Sequence, residues 1–169
     1  MGWFKSKREI KFVGSKIPTY LCSTELINII QRCLVDSTDY ESECFVSGIS
    51  YGRILIPTSV FKPKHITRTV VSARADPLSL FDLYLRNKKY GLTIYLMCHL
   101  HPGNGPYSTY PSSIDMTTMK RWETNFPLVG LIFTRSGYFR FFSVKREFEI
   151  RIKGKGVEKY DEKLYRIKS

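Results

Sequence analysis

Two histidines near the middle of the chain are spaced so that both can bind one metal ion. His99 and His101 stand one residue apart at the end of an apolar run, directly before Pro102 and Gly103. Alternate residues of a β-strand point to the same face, so the two imidazoles can reach a single point in space. This spacing predicts a pair of imidazole ligands where a buried strand emerges into a loop.

Asp115, fourteen residues after the second histidine, can complete the ligand set. A helix that begins at Ser112 or Ser113 places this aspartate in its first turn, where its carboxylate can approach the histidine pair. Two imidazoles and one carboxylate leave the fourth position of a tetrahedral zinc ion open for water, as in hydrolytic rather than structural sites. Zinc lowers the pKa of that water to about 7, and a nearby carboxylate is still needed to carry protons.

The same helix start has a purely structural interpretation. Ser112 and Asp115 match the pattern of a capping box, in which both side chains satisfy main-chain N–H groups. A histidine pair on a strand also occurs by chance in many proteins. The combination of the two patterns, with a Pro-Gly turn between them, favours the metal site.

Apolar periodicity and turn signals predict a mixed α/β chain around these residues. Helix starts are indicated by Ser23 or Thr24 and by Asp76 followed by Pro77, and Gly91 ends the second helix. We expect helices over 23–36, 76–91 and 112–125, strands over 41–50, 53–61, 65–73, 92–98 and 147–152, a hairpin formed by 127–134 and 137–144, and an amphipathic helix over 157–167.

The composition predicts one soluble domain over residues 1–169. Apolar residues make up 43% of a chain that is long enough to enclose a core. No apolar run is long enough to span a bilayer, and the first residues lack the pattern of a secretory signal, so we expect a cytoplasmic protein without membrane contact. No C-x-x-C pair is present, which indicates buried free thiols at the four cysteines, Cys22, Cys33, Cys44 and Cys98.

The charge balance bears on binding partners. The formal net charge is +12, with a basic segment over residues 1–16 and a charged tail over about 154–169. Such a surface favours acidic partners, which include nucleic acid and acidic proteins. No basic run interleaved with aromatic residues forms a nucleic-acid module, so nucleic acid is retained as a partner class without a supporting motif.

Two segments resemble the signature of a known enzyme family. HLHPG at 99–103 and PSSID at 111–115 are similar to the His-x-His-Pro and Ser-x-x-Asp parts of the JAMM metalloproteases, also called MPN-plus or JAB domains, in their prokaryotic form. The resemblance covers about residues 24–144. It implies an α/β fold, a single JAB/MPN-like domain whose mixed, mostly antiparallel sheet is flanked by helices in a cytidine-deaminase-like arrangement. The family includes zinc-dependent isopeptidases that cleave ubiquitin or ubiquitin-like proteins from their conjugates.

The resemblance also implies roles for individual residues. His99, His101 and Asp115 would bind Zn²⁺. Ser112 would help to hold the oxyanion that forms when water attacks the scissile carbonyl. The family usually has serine or threonine between the histidines, where this chain has Leu100. Since Leu100 points away from the metal, we expect this departure to affect packing more than chemistry.

An upstream glutamate would act as general base and acid. In the family this residue tends to stand seven positions before a glycine, and Glu41 has this spacing from Gly48. Glu43, two residues on, would share a face with Glu41 if the strand already began there, so it is the alternative. We predict Glu41 as catalytic, although the sequence alone does not decide between the two.

The loop between the histidines and the Ser-x-x-Asp helix is about three residues longer than the family pattern. A longer loop costs little closure entropy, so the site can survive it. Tyr107 and Tyr110 on this loop are candidates for substrate contact, but ordinary loop packing is the favoured interpretation. The remaining histidine, His65, lies in a basic, extended stretch, and a surface role is expected for it.

The leading hypothesis is a zinc-dependent metallopeptidase or isopeptidase that hydrolyses an amide bond at the C-terminal tail of a ubiquitin-like protein. Two alternatives stay open. One is a binding module of the same fold without turnover, and the other is a nucleic-acid-associated protein that uses its basic surface. Binding to DNA that weakens steeply with added salt would support the last.

Overall fold

The computed structural model describes residues 17–168, and the basic segment 1–16 lies outside that range. Within it are three α-helices, α1 (Thr24–Leu34), α2 (Pro77–Tyr90) and α3 (Ser113–Trp122), and a short 3-10 helix over Pro106–Thr109. The strands are β1 (Thr19–Ser23), β2 (Ser42–Tyr51), β3 (Ile54–Phe61), β4 (His65–Thr69), β5 (Ser72–Ala75), β6 (Thr93–Leu100), β7 (Val129–Phe133), β8 (Tyr138–Phe142), β9 (Glu149–Lys153), β10 (Val157–Lys159) and β11 (Leu164–Ile167). None of the helices in this range is both long and apolar enough to cross a membrane.

Nine strands form one mixed sheet in the order β10-β11-β8-β7-β6-β2-β3-β1-β9, and β4 pairs with β5 in a separate hairpin. Five of the eight neighbouring pairs in the large sheet are antiparallel, and three are parallel. The predicted mixed, mostly antiparallel α/β architecture is confirmed. The sheet is nearly barrel-shaped, however, and not the simple flanked layer that we predicted. Register shifts of β2 near Ser47 contribute to the curl, since such irregularities bend a strand.

One face of the sheet packs against α1. Leu26, Ile27 and Ile30 of this helix form a core cluster with side chains that include Leu96 and Cys98 of β6. The helical spacing of these apolar residues places them on one side of α1. This side is the one that packs against the sheet.

The other face packs against α2 and α3. Phe45 of β2 and Met97 of β6 form a second core cluster there with Leu83 of α2 and Met119 of α3. Since His99 follows Met97 by two residues, it points to the same α2/α3 face. The alternation of β6 therefore directs the first histidine towards the helix that carries the aspartate.

The sequence-based helix starts are confirmed. Ser23 Oγ accepts a hydrogen bond from Leu26 N at 3.0 Å at the start of α1, and the Asp76 carboxylate accepts one from Leu78 N at 3.4 Å at the start of α2. Helix α2 ends at Gly91, whose φ of 66° lies in the left-handed region that favours glycine.

Two sequence-based elements are wrong. Residues 65–73, predicted as one strand, belong to the hairpin of β4 and β5. Residues 157–167, predicted as a helix, form β10 and β11, and β11 pairs with the edge of β8. Tyr165 of β11 is buried and stacks on Phe139 with ring centroids 5.5 Å apart. Pairing and burial against the sheet therefore override the local amphipathic pattern of the tail.

Gly48 is required by the close approach of β2 and β3. A Cβ atom there would lie 1.9 Å from the main-chain oxygen of Ile56. Because the obstructing atom belongs to the backbone, we expect Gly48→Ala to lower the free energy of unfolding by about 3 kcal/mol or more. Gly105→Ala is the matched control, since a Cβ at Gly105 meets no atom within 4 Å, and we expect a change below about 0.5 kcal/mol. Urea denaturation measures both, and equal stabilities of the two variants would contradict the steric explanation.

The prediction of free thiols is confirmed. Cys22, Cys44 and Cys98 are buried, Cys33 is half-buried, and all four are free cysteines. Burial raises the pKa of the Cys22 thiol to about 12. This thiol is therefore protonated and unreactive at neutral pH.

Candidate metal centre

The structure brings the two histidines and Asp115 together at the end of β6. His99 Nδ1 lies 3.2 Å from Asp115 Oδ1, and His101 Nε2 lies 3.1 Å from Asp115 Oδ2. One ligand atom from each of the three residues lies within 4.8 Å of the other two. The group could therefore hold a metal ion, as the sequence predicted.

Strand pairing fixes the histidine side of this group. His99 is the residue of β6 that pairs with Glu43 of β2 and with Ile132 of β7. His101 follows the end of β6, and its main-chain N–H still donates to Phe133 O at 2.9 Å. Because β6 is hydrogen-bonded to β2 on one side and to β7 on the other, both imidazoles are attached to a rigid part of the backbone.

A complete capping box fixes the carboxylate side. Ser112 N donates to Asp115 Oδ2 at 2.6 Å, and Asp115 N donates to Ser112 Oγ at 3.2 Å. The structural and the metal-binding interpretations of this pattern are thus compatible, since the cap itself aims the Asp115 carboxylate at the histidines. Ser112 Oγ accepts from Asp115 N, and the Ser112 side chain also hydrogen-bonds the Asp115 carboxylate.

Asp115 and His101 stabilise each other's charged forms. Burial alone would raise the pKa of Asp115, but hydrogen bonds from His101, His99 and Ser112 outweigh it and hold that pKa well below its usual range. Burial alone would lower the pKa of His101, but the hydrogen bond and charge of Asp115 outweigh it and raise that pKa. Asp115 is therefore an anion at neutral pH, as a metal-binding carboxylate must be.

The long loop orients the second histidine. His101 Nδ1 lies 3.0 Å from the main-chain oxygen of Ser108, in the 3-10 helix. A carbonyl can only accept, so Nδ1 carries a proton, and Nε2 is the nitrogen that faces Asp115. The loop thus orients the His101 ring through the Ser108 carbonyl. The length of the loop alone did not indicate this role.

Tyr110, one of the two tyrosines on the loop, packs against β8. Arg140 Nε donates to Thr109 Oγ1 at 3.1 Å, and the Arg140 guanidinium lies over the Tyr110 ring at 4.2 Å. Tyr110 is therefore part of a contact that ties the loop to β8, as expected. Tyr107 is 83% exposed.

One candidate glutamate lies beside the metal-binding group, and the other is within electrostatic range of it. Glu43 is 8% exposed, and its Oε2 lies 3.7 Å from His99 Nε2. Glu41 immediately precedes β2 and is half-buried. Burial raises the pKa of the Glu41 carboxyl, and the charges of His101 and His99 offset part of that rise. The structure brings the Glu43 carboxyl next to His99 and that of Glu41 within electrostatic range of the group, and the choice between them stays a prediction.

His65 is the residue that the sequence interpretation misplaced. Its side chain is 6% exposed, and its Nε2 lies 4.0 Å from Glu43 Oε1, so the expected surface role is wrong. The β4–β5 hairpin folds over the start of β2 and carries His65 inward, a long-range contact without a local sequence signal. Burial, together with the charges of Arg68 and Lys62, lowers the pKa of His65 to about 4. The imidazole is therefore neutral at physiological pH.

The donor set suits zinc but does not identify the ion. Imidazole nitrogen and carboxylate oxygen bind zinc and other first-row divalent ions, and three protein ligands are the usual number in catalytic zinc sites. The site is partly accessible, since the side chains of the three residues are 15%, 11% and 10% exposed in the order His99, His101, Asp115.

An apolar cleft of about 630 Å³ lies between α2 and α3 on the same face of the sheet. Phe81, Trp122 and Phe126 contribute to its lining, and Lys88 and Arg121 add positive charge. Its size is within the range of ligand and peptide sites. Pro77, one of the residues that line the cleft, follows the end of the β4–β5 hairpin by two positions in the sequence.

Comparisons with known proteins show the fold but no family. No protein-family model matches the chain, and no curated protein matches it by sequence. The solution structure of protein DSY2949 from Desulfitobacterium hafniense is similar at 16% identity and a TM-score of 0.59, over 81% of this chain and 94% of that one. The crystal structure of AF2198, a JAB1/MPN domain protein from Archaeoglobus fulgidus, aligns at 15% identity and a TM-score of 0.46, over 83% of this chain and all of that one. The first similarity indicates a shared fold.

Proposed function

We propose that this protein is a zinc-dependent metallopeptidase or isopeptidase of the JAMM type, which hydrolyses an amide bond at the C-terminal tail of a ubiquitin-like protein. The observation that carries the proposal is the convergence of His99, His101 and Asp115, with the Glu43 carboxyl beside His99 and the Glu41 carboxyl within electrostatic range. A set of three ligands with nearby proton carriers is what hydrolytic zinc chemistry requires.

His99, His101 and Asp115 would hold the ion. Two neutral imidazoles and one carboxylate leave a site that keeps a net positive charge when a divalent ion is bound. Zinc held by these residues would supply Lewis acidity, which lowers the pKa of a bound water and polarises a carbonyl.

Glu41 is the proposed general base and acid. Its carboxyl interacts electrostatically with His101, His99 and Asp115, whereas Glu43 interacts with His99 alone among the three. Burial raises the pKa of Glu41, which brings the carboxyl closer to the range in which it can accept and return a proton near neutral pH. Glu41 would take the proton of the attacking water and deliver it to the leaving amine.

Ser112 is proposed to stabilise the oxyanion. Its oxygen accepts the N–H of Asp115, and its side chain also hydrogen-bonds the Asp115 carboxylate, so the hydroxyl is held beside the candidate ligands. A donor held beside the metal ligands acts where negative charge develops, and such donors stabilise the transition state more than the ground state.

The cleft between α2 and α3 is the proposed docking surface for the folded part of the substrate. Its lining is mostly apolar and includes the cations Lys88 and Arg121, with no acidic side chain among the lining residues. These features suit a protein with an apolar patch and acidic neighbours, which is the chemistry proposed for the ubiquitin-like partner.

The proposal is tested by cleavage of ubiquitin-like proteins fused through their C-terminal tails to a lysine side chain or to a linear peptide. We expect cleavage directly after the tail, loss of cleavage with a zinc chelator, and recovery when zinc is restored. Mass spectrometry of the products identifies the cleaved bond. Zinc-loaded protein that binds these fusions but leaves every one intact would contradict the hydrolase and favour the non-catalytic binding module.

A further inference from the structure

We propose that Glu43 and His65 form a positioning pair that holds the ring of His99, and that Glu43 does not serve as the proton carrier. The inference depends on the proposed metal site, because it assigns residues that orient one of its ligands. It separates the roles of the two neighbouring glutamates and gives His65 a function.

The two ring nitrogens of His99 face different partners. Nδ1 lies 3.2 Å from Asp115 Oδ1, on the side of the other candidate ligands, and Nε2 lies 3.7 Å from Glu43 Oε2. Histidines that bind metals usually offer one nitrogen to the ion and the other to a carboxylate or carbonyl, which fixes the tautomer and the ring orientation. Glu43 is the carboxyl on the side of this second nitrogen, at a separation longer than a hydrogen bond.

His101 has the same arrangement with a different outer partner. Its Nε2 faces Asp115 at 3.1 Å, and its Nδ1 contacts the Ser108 carbonyl at 3.0 Å. Each candidate histidine ligand thus lies between Asp115 and one outer oxygen, the Ser108 carbonyl for His101 and the Glu43 carboxyl for His99. This parallel supports a positioning role for Glu43, since the acceptor on His101 is a main-chain carbonyl, which cannot carry protons.

Glu43 is itself held in place by its surroundings. It pairs directly with His99 across β2 and β6, and it is 8% exposed. The main-chain N–H of Ala75 in β5 donates to its carboxyl. A carboxyl with this anchor has little freedom to move between an attacking water and a leaving group.

His65 supplies the second anchor. Its Nε2 is buried and has no hydrogen-bond partner among residues 17–168, although it faces Glu43 Oε1 at 4.0 Å. A buried polar nitrogen without a partner is costly, and an approach of about 1 Å would give it a hydrogen bond to Glu43. The geometry therefore assigns Glu43 as the partner that the His65 ring faces.

The β4–β5 hairpin connects these contacts. It carries both His65 and Ala75, and it also binds the other glutamate, since Glu41 N donates to Thr69 O at 2.7 Å and Arg68 Nε donates to Glu41 O at 3.0 Å. The hairpin thus holds the backbone of Glu41 while it anchors the side chain of Glu43.

The test compares zinc affinity and the visible spectrum of the Co²⁺-loaded protein for wild type, Glu43→Gln, His65→Phe and Glu41→Gln. We expect Glu43→Gln to weaken zinc binding by about 10- to 100-fold and to change the Co²⁺ spectrum, which reports ligand geometry. We expect about a 3- to 10-fold loss for His65→Phe, and little further loss when both changes are combined, because the residues act as a pair. Glu41→Gln should leave the affinity within about 3-fold.

Glu162→Gln is the matched control, because it removes the same charge from a side chain that is 91% exposed. Thermal unfolding of the metal-free variants verifies that each one folds. Wild-type affinity and an unchanged Co²⁺ spectrum in Glu43→Gln would overturn the positioning pair while the metal site stands. Failure of the wild-type protein to bind zinc would instead overturn the proposed function, and the inference with it.

Discussion

Replacing Asp115 with asparagine is expected to lower zinc affinity by more than about 100-fold, since even outer partners of a metal ligand are worth 10- to 100-fold. The exchange removes the anionic ligand that lies 3.2 Å from His99 and 3.1 Å from His101. The asparagine oxygen can still accept the N–H of Ser112, so the helix cap is retained. Hydrolysis should disappear together with bound zinc, and competition with a chromogenic chelator measures the affinity.

Asp115→Ala separates the two functions of this carboxylate. It removes the ligand and also the carboxylate half of the capping box, the bond from Ser112 N to Asp115 Oδ2. It should therefore lose zinc in the same way and also lower the free energy of unfolding by about 1 kcal/mol. Asp115→Asn should keep nearly the wild-type stability of the metal-free protein. Wild-type zinc affinity in the asparagine variant would show that Asp115 is only a helix cap.

Replacing Glu41 with glutamine is expected to lower kcat by about 100- to 10,000-fold, the range that a general base contributes. Zinc content and KM should stay close to wild type, because the amide keeps the size of the side chain and Glu41 is not among the three candidate ligands. Steady-state kinetics on the fusion substrates at saturating zinc give both constants.

Glu43→Gln is the companion variant for this prediction. At saturating zinc it should recover much more of kcat than Glu41→Gln, since its defect is in metal binding and can be overcome by added ion. The opposite ranking, with Glu41→Gln active and Glu43→Gln inactive at the same zinc occupancy, would show that the proton carrier is Glu43.

Local patterns were sufficient to predict the centre of the candidate site. The i, i+2 spacing of His99 and His101 depends only on strand alternation, and Asp115 depends only on where a helix begins. Both features are set by neighbours in sequence, which is why the structure brings the three residues together as predicted. The starts of α1 and α2 were predicted for the same reason, because caps and proline act over a single turn.

Long-range contacts account for what the sequence did not predict. His65 reaches Glu43 only because a hairpin folds over another strand. The tail became β10 and β11 because the edge of β8 was available for pairing. Neither event has a signature in the residues nearby, and amphipathic spacing over 157–167 even indicated the wrong element. The tautomer of His101 likewise depends on the Ser108 carbonyl, which any residue type could supply.

The most direct test is anomalous diffraction at the zinc absorption edge from crystals of the zinc-loaded protein. We predict one strong peak within about 2.0–2.2 Å of a nitrogen of His99, a nitrogen of His101 and a carboxylate oxygen of Asp115, with a fourth position open to solvent. Absence of a peak between these three side chains, or zinc bound only elsewhere on the protein, would contradict it.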